Sequence, residues 1–223
     1  MNRLLKNAAK ESGQLWFYGE FGQTEYGLIG ADLVRDAISY YGDGTKLEIH
    51  FNTEGGDIIE AGAIYNLLKN HGGRKTGIVD MIAFSCGSWV LQACDKRVMA
   101  ENALLMIHKP TASLSGDAEA LRKDADLLDQ LHQTLAKTYA DRSGKSVDEM
   151  MEAMSRETYY TAQQALEAGL IDEISPNKTL QMCGAKRLNS YPAHVRAAIE
   201  NHDAAIRQSL RLRKQQLNEA LST

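Results

Sequence analysis

Cysteine is scarce in this chain: three residues, Cys86, Cys94 and Cys183, among 223. They form no C-x-x-C pair and no His-linked metal spacing. This excludes a disulfide-built scaffold, and an odd, sparse set fits a reducing compartment, the cytoplasm. Long hydrophobic runs are missing as well, none approaching the ~18 residues of a membrane span. The opening stretch MNRLLKNAAKESGQ lacks an apolar core and a cleavage site, so it does not read as a signal peptide. There is no surplus of positive charge: 25 Lys and Arg face 29 Asp and Glu, a net charge of −4, which argues against a dedicated nucleic-acid binder. Internal repeats and low-complexity tracts are absent.

What is present is a hydrophobic content of 43%, enough for a core in one domain of ordinary size. Residues 14–19 (QLWFYG) alternate like a strand. Residues 28–41 place Leu28, Ile29, Leu33, Val34, Ala37 and Ile38 at helical spacing. KLEIHF (46–51) reads as a strand and 58–70 as a helix stopped by Gly72-Gly73. KTGIVDMIAF (75–84) reads as a strand, 86–94 as a buried helix, and KRVMA and ALLMIH as short strands. The order β-α-β-α-β-α-β-β favours a mainly parallel, buried sheet with right-handed crossovers. Beyond it, Asp117 caps a long helix over 117–142 with a stripe of Leu121, Leu128, Leu131 and Leu135. Ser146–Glu149 and Thr161–Gln164 match capping boxes, and LIDEI (170–174) reads as a last strand. Residues 175–191 look like a linker, and a polar helical tail follows over 192–223, carrying Arg207, Arg211, Arg213 and Lys214.

Three stretches carry candidate chemistry. In FNTEGGDI (51–58), Gly55-Gly56 lets the backbone turn tightly and expose N–H groups, as an oxyanion site requires; a βα turn needing positive φ is the plainer explanation. Ser85 sits where a strand gives way to a helix, in Ala83-Phe84-Ser85-Cys86-Gly87. A nucleophile there would project from a sharp turn with the Cys86 N–H beside it, although serine is also a common helix N-cap. His108 ends the apolar strand ALLMIH, and its ordinary pKa of ~6.5 suits a general base, with activity rising from about pH 6 to 8. Spacing leaves the orienting carboxylate open among Asp124, Asp126, Asp141, Asp148, Glu157 and Asp172. Glu157 has the best local position, between two helices and just before TYYT.

Taken together, FNTEGGDIIEAGAIYNLL, AFSCGSWVLQACDKRVMAENALLMIHKP and MSRETYYTAQQALEAGLIDEI resemble, in order, three segments of the ClpP serine peptidases. The likeness is closest to the ClpP-related head-maturation (prohead) proteases of tailed phages, and it covers roughly 14–174. The resemblance implies Ser85 as nucleophile, His108 as base and Glu157 as acid, where the cellular enzymes carry aspartate. It puts the oxyanion donors on the N–H groups of Gly55 and Cys86, and the substrate strand along Gly56, Asp57 and Ile58. Glu54 stands where the family usually has proline. The fold implied is α/β, a crotonase-like βαβ spiral with 117–142 as a protruding handle. The implied domain spans 1–174, with 1–13 expected to be flexible. No cofactor or metal is implied. The implied partners are a polypeptide substrate, further copies of the chain in a heptameric ring or stacked rings, a capsid or scaffold protein, and an ATPase unfoldase, with no membrane. The implied setting is the cytoplasm or an immature capsid. A non-catalytic ring or capsid-assembly subunit and a crotonase-type acyl-CoA enzyme are the competing readings.

Overall fold

The computed structural model describes residues 13–176. The lead before residue 13, nearly all of the expected linker, Cys183 and the basic tail lie outside the described residues.

The strands are β1 (Gly13–Tyr18), β2 (Leu47–Thr53), β3 (Lys75–Phe84), β4 (Lys96–Ala100), β5 (Leu104–Ile107), β6 (Thr158–Thr161) and β7 (Glu173–Ser175). The helices are α1 (Ala31–Tyr41), α2 (Ile58–Asn70), α3 (Cys86–Leu91), α4 (Ala118–Ser143), α5 (Val147–Ser155) and α6 (Ala162–Glu167). Strands run in the order β1-β2-β3-β4-β7, all parallel, so the expected parallel sheet is present. Three features differ from the sequence expectation. A 3-10 turn occupies Thr24–Tyr26, so α1 begins at Ala31 rather than 28. TYYT forms a strand where the sequence pattern assigns no element. The last strand starts at Glu173, because Leu170 and Ile171 are core residues of the turn before it.

The ten-residue β3 organises the molecule. Its first half pairs with β4 from Thr76 to Val79, and its second half pairs with β5 from Ile82 to Phe84. The sheet therefore forks at β3. β5 runs parallel to β3's end and takes β6 antiparallel on its far side, from Leu104↔Thr161 to Ile107↔Thr158. Leu15, Phe17, Leu47, Ile49, Phe51 and Val79 alternate inward and are fully buried, as period-2 patterning requires. Against them α2 packs Ala61, Ile64 and Leu68 at helical spacing, and every residue of α3 is buried. The capping reading holds. Asp57 and Asp117 accept first-turn N–H groups of α2 and α4, and both capping boxes close, each cap worth ~1 kcal/mol.

Two polar clusters lock the sheet. Arg97 at the head of β4 is 4% exposed; its guanidinium donates to Asp172 (Nε–Oδ2, 3.0 Å), Gln92 (2.7 Å) and the Gly169 carbonyl (3.1 Å), tying α6's end to β4. On the other cluster, His50 stacks on Trp16 with ring centroids 4.0 Å apart, Nδ1 lying 2.8 Å from Asp80 and Nε2 2.9 Å from Glu48. Tyr18 donates to the same Asp80 oxygen at 2.6 Å. This joins β1, β2 and β3 side by side, on the face opposite Ile49 and Phe51.

α4, at 26 residues, extends roughly 39 Å at 1.5 Å per residue. Only its second half is in the core, through His132, Leu135, Ala136, Tyr139 and Ala140. The expected leucine stripe is thus split: Leu135 is buried, Leu128 and Leu131 are half-buried, and Leu121 is exposed, as is Leu127.

Candidate active site

The forked sheet explains why Ser85 and His108 meet. Phe84 is in register with Met106, and the Ser85 N–H donates to the Met106 carbonyl at 3.0 Å. Ser85 thus leaves β3 beside the strand whose next residues are Ile107 and His108. The His108 Nε2 lies 2.7 Å from the Ser85 Oγ, a full hydrogen bond.

The Ser85 backbone takes φ 51°, ψ −126°, a conformation that L-residues rarely adopt. Its side chain makes no capping bond to α3, so the N-cap alternative does not describe this serine. The strained turn is held from both ends. The Ser85 N–H is on β5, and its carbonyl accepts the Ser88 N–H (3.0 Å), the Trp89 N–H (3.3 Å) and the Ser88 hydroxyl (2.7 Å). Ser88 in turn bonds the buried Tyr139 hydroxyl of α4 at 2.8 Å. Strain of ~1–3 kcal/mol persists only when its surroundings over-determine it in this way. Cys86, the next residue, is 4% exposed, and burial pushes its thiol up to about 11. It therefore stays protonated and is a poor nucleophile at neutral pH.

His108 sits in a partly closed setting. Burial pulls its pKa below the usual 6.5, and the Glu157 charge opposes that fall without cancelling it. The imidazole is accordingly neutral at pH 7, the state a base needs. Glu157 immediately precedes β6, whose Thr158 pairs with Ile107, the residue before His108, and its charge acts on the imidazole. Glu157 also adopts a positive φ of 49°, and the Tyr159 hydroxyl donates to its Oε1 at 2.7 Å. Of the competing carboxylates, Asp172 is committed to Arg97, and Asp141 pairs with Lys137 on the outer face of α4.

The glycine turn approaches from β2. Gly55 (φ +104°) packs against the nucleophile: a Cβ there would sit 2.7 Å from the Ser85 Cβ and 3.0 Å from both the Cys86 nitrogen and the Phe84 oxygen. Its N–H, however, donates to the Thr53 hydroxyl at 3.0 Å, which differs from the expectation that this group is open to an oxyanion. At Gly56 (φ +134°) a Cβ would collide with the Phe21 backbone, 2.2 Å from its carbonyl oxygen. Phe21 bridges Gly56, donating to the Gly55 carbonyl and accepting from the Asp57 N–H. The Gly56 carbonyl takes the Cys86 thiol at 3.5 Å, so this residue's other polar edge turns toward the start of α3. There the helix ladder begins with the Ser88 N–H, which leaves the Cys86 N–H outside it. Of the residues expected to take the substrate strand, Gly56 forms an isolated bridge with Phe21, Asp57 has extended backbone and caps α2, and Ile58 is already helical. Sequence reasoning missed Tyr159, Thr53 and Tyr139. A hydroxyl two residues from an acid or a glycine turn is too common a pattern to stand out, and Tyr139 lies far away in sequence.

Residues 12–178 match the family described as Clp protease. The chain is 30% identical over 149 residues to the ATP-dependent Clp protease proteolytic subunit 2 of Tropheryma whipplei (strain Twist), covering 66% of this chain and 78% of that protein. It is 29% identical over 131 residues to the protein of the same name from Cutibacterium acnes (strain DSM 16379 / KPA171202), covering 58% of this chain and 62% of that one.

Proposed function

The chain belongs to the Clp protease family, and on that premise we propose that it is a serine endopeptidase whose working groups are Ser85, His108 and Glu157. The observation that carries the proposal is the 2.7 Å contact between the Ser85 hydroxyl and the His108 Nε2 at a strained strand-to-helix turn. The Ser85 Oγ attacks the scissile carbonyl while Nε2 takes its proton. Glu157 holds the ring and offsets the positive charge that develops on it. The imidazolium then gives the proton to the departing amine, leaving an acyl-serine that water, deprotonated by the same imidazole, releases as a carboxylate. For the oxyanion we assign the Cys86 N–H and, in place of the Gly55 N–H bonded to Thr53, the Gly56 N–H; Gly55 shapes the pocket by having no side chain. Each such donor contributes ~10²–10³ in rate.

The substrate on this reading is unfolded or accessible polypeptide, paired by main chain at Gly56 and therefore weakly sequence-selective. Self-assembly into rings follows from family membership, and the uncovered half of α4, with Leu121 38% and Leu127 57% exposed, is the surface assigned to it. The words "ATP-dependent" in both relatives' names support an ATPase unfoldase as partner. A capsid or scaffold protein as substrate rests on the sequence resemblance to phage head-maturation proteases. Coexpression with candidate capsid proteins, scored for Ser85-dependent cleavage, tests it. The sparse cysteines support work in a reducing cytoplasm. Among the described residues no helix is long and apolar enough to cross a membrane.

Hydrolysis of a fluorescent-labelled unstructured polypeptide by wild type and Ser85→Ala tests the proposal. The variant should fold, assemble to the wild-type native mass and lose turnover by ~10⁶-fold. A folded variant that cleaves at the parent rate contradicts it and leaves the non-catalytic assembly subunit as the better reading.

A further inference from the structure

Tyr159 touches all three strands of chain that build the site. Its hydroxyl donates to the Glu157 Oε1 at 2.7 Å. Its ring packs edge-on against Phe84, the residue before the nucleophile, with centroids 5.6 Å apart and planes at 87°. Its backbone is in register with Met106, whose carbonyl receives the Ser85 N–H. The acid it holds is a glutamate in a left-handed backbone conformation, with two side-chain torsions before the carboxyl plane and with water on one side. Such a carboxylate has several rotamers to choose from, and one that points away from His108 is no use to it. A phenol that donates to Oε1 removes much of that freedom.

We propose that Tyr159 is the positioning residue for Glu157, fixing its carboxylate toward His108 and linking the acid's placement to the nucleophile turn through Phe84. The proposal rests on the peptidase reading above. Burial, with the hydrogen bond to Glu157 and its charge, pushes the Tyr159 hydroxyl well above its ordinary value of 10, so it remains a donor across the working pH range. Phe84 sits on the rigid end of β3, so the ring contact gives Tyr159 itself a fixed seat; a surface tyrosine would lack one.

The test uses the full chain as wild type, Tyr159→Phe, Glu157→Ala and the double variant, each assayed on a short fluorogenic peptide across pH 5 to 9. Tyr159→Phe keeps the ring and loses only the hydroxyl. It should lower kcat about tenfold, the kinetic equivalent of one charge-assisted hydrogen bond, with KM unchanged. The acid limb of its pH profile should move to lower pH, because a carboxylate free to swing away supports the imidazolium less. In the Glu157→Ala background the same substitution should have no further effect. An unchanged kcat and acid limb in Tyr159→Phe overturns the proposal, as does an equal loss in both backgrounds, which would make Tyr159 a packing residue. Glu157→Asp is a second route should Tyr159→Phe fold poorly. It keeps the charge but draws back one methylene from the phenol, so it should show the same lowered acid limb; wild-type kcat and limb there also overturn the proposal. Fluorophosphonate labelling separates the two levels. Wild type left unlabelled at Ser85 defeats the peptidase reading itself, whereas labelled wild type with an unaltered Tyr159→Phe rate defeats only the role of Tyr159.

Discussion

Gly55→Ala is the sharpest probe of the site's geometry, because it adds one methyl group and removes no catalytic atom. The new Cβ would lie 2.7 Å from the Ser85 Cβ and 3.0 Å from the Cys86 nitrogen and the Phe84 oxygen. Ordinary carbon contacts need about 3.5 Å or more, so Ser85 or the β2 turn must retreat by roughly 0.8 Å. The Ser85 turn has little room to give: its N–H is bonded to Met106 and its carbonyl holds three donors. A displacement near 1 Å at the reacting centre costs on the order of 10²-fold in rate. The φ of +104° adds strain of ~1–3 kcal/mol to the folded state. The expectation is therefore a kcat/KM about 10²-fold below wild type, with a modest loss in Tm, read by peptide turnover and differential scanning calorimetry. Gly144→Ala is the control. Gly144 also has positive φ (+75°), but nothing lies within 4 Å of its Cβ position, so it takes the backbone strain without the contact. Gly55→Ala activity within about threefold of wild type, or an equal loss in Gly144→Ala, would refute the packing of the glycine turn on the nucleophile.

Three further outcomes follow from the same structure. Because burial holds the His108 pKa below 6.5 against the opposing charge of Glu157, kcat/KM should rise through a midpoint below pH 6.5 and be flat above neutrality; a midpoint above 7 contradicts the site's electrostatics and would restore the later rise that the sequence suggests. His50 is pulled down by burial, but Asp80 and Glu48 outweigh it and its pKa is raised, so its stabilisation is complete below pH 6.5 and fades as pH climbs through the folded-state value. His50→Gln should accordingly lower the urea midpoint more at pH 6 than at pH 9, and an equal loss at both would show that the Asp80–His50–Glu48 cluster carries no charge-dependent stability. Arg97→Ala leaves Asp172 and Gln92 without their partner and should destabilise by on the order of 3 kcal/mol in chemical denaturation; a loss below about 1 kcal/mol would mark the pair as solvent-screened.

The sequence made the local features legible and left the non-local ones hidden. Capping boxes at Ser146 and Thr161, the Asp117 cap and the alternation of β2 are short-range signals, and each is found where its residues place it. The hairpin-like pairing of β5 with β6 joins segments some fifty residues apart, and four residues of TYYT carry too little pattern to announce a strand. Glu157 therefore stands out in sequence only by its position between helices and by resemblance, while its approach to His108 depends on the pairing of β6 with β5. The glycine pair shows the same limit on a finer scale. Composition points to an exposed N–H, but which of two adjacent glycines offers it depends on Thr53 and Phe21, which the turn brings in from either side. The leucine stripe of α4 reads as continuous because periodicity records a face, not what covers it; the core reaches only the half from His132 onward.

Activation of the Ser85 hydroxyl by His108 within a single site is open to a direct measurement: intact-mass and peptide-mapping analysis of wild type and His108→Ala after exposure to a fluorophosphonate. One adduct per chain is expected, on Ser85, forming at a rate that follows the ionisation of His108 and falling to background in His108→Ala. Labelling that spares Ser85, or that proceeds at the same rate without His108, would contradict that activation.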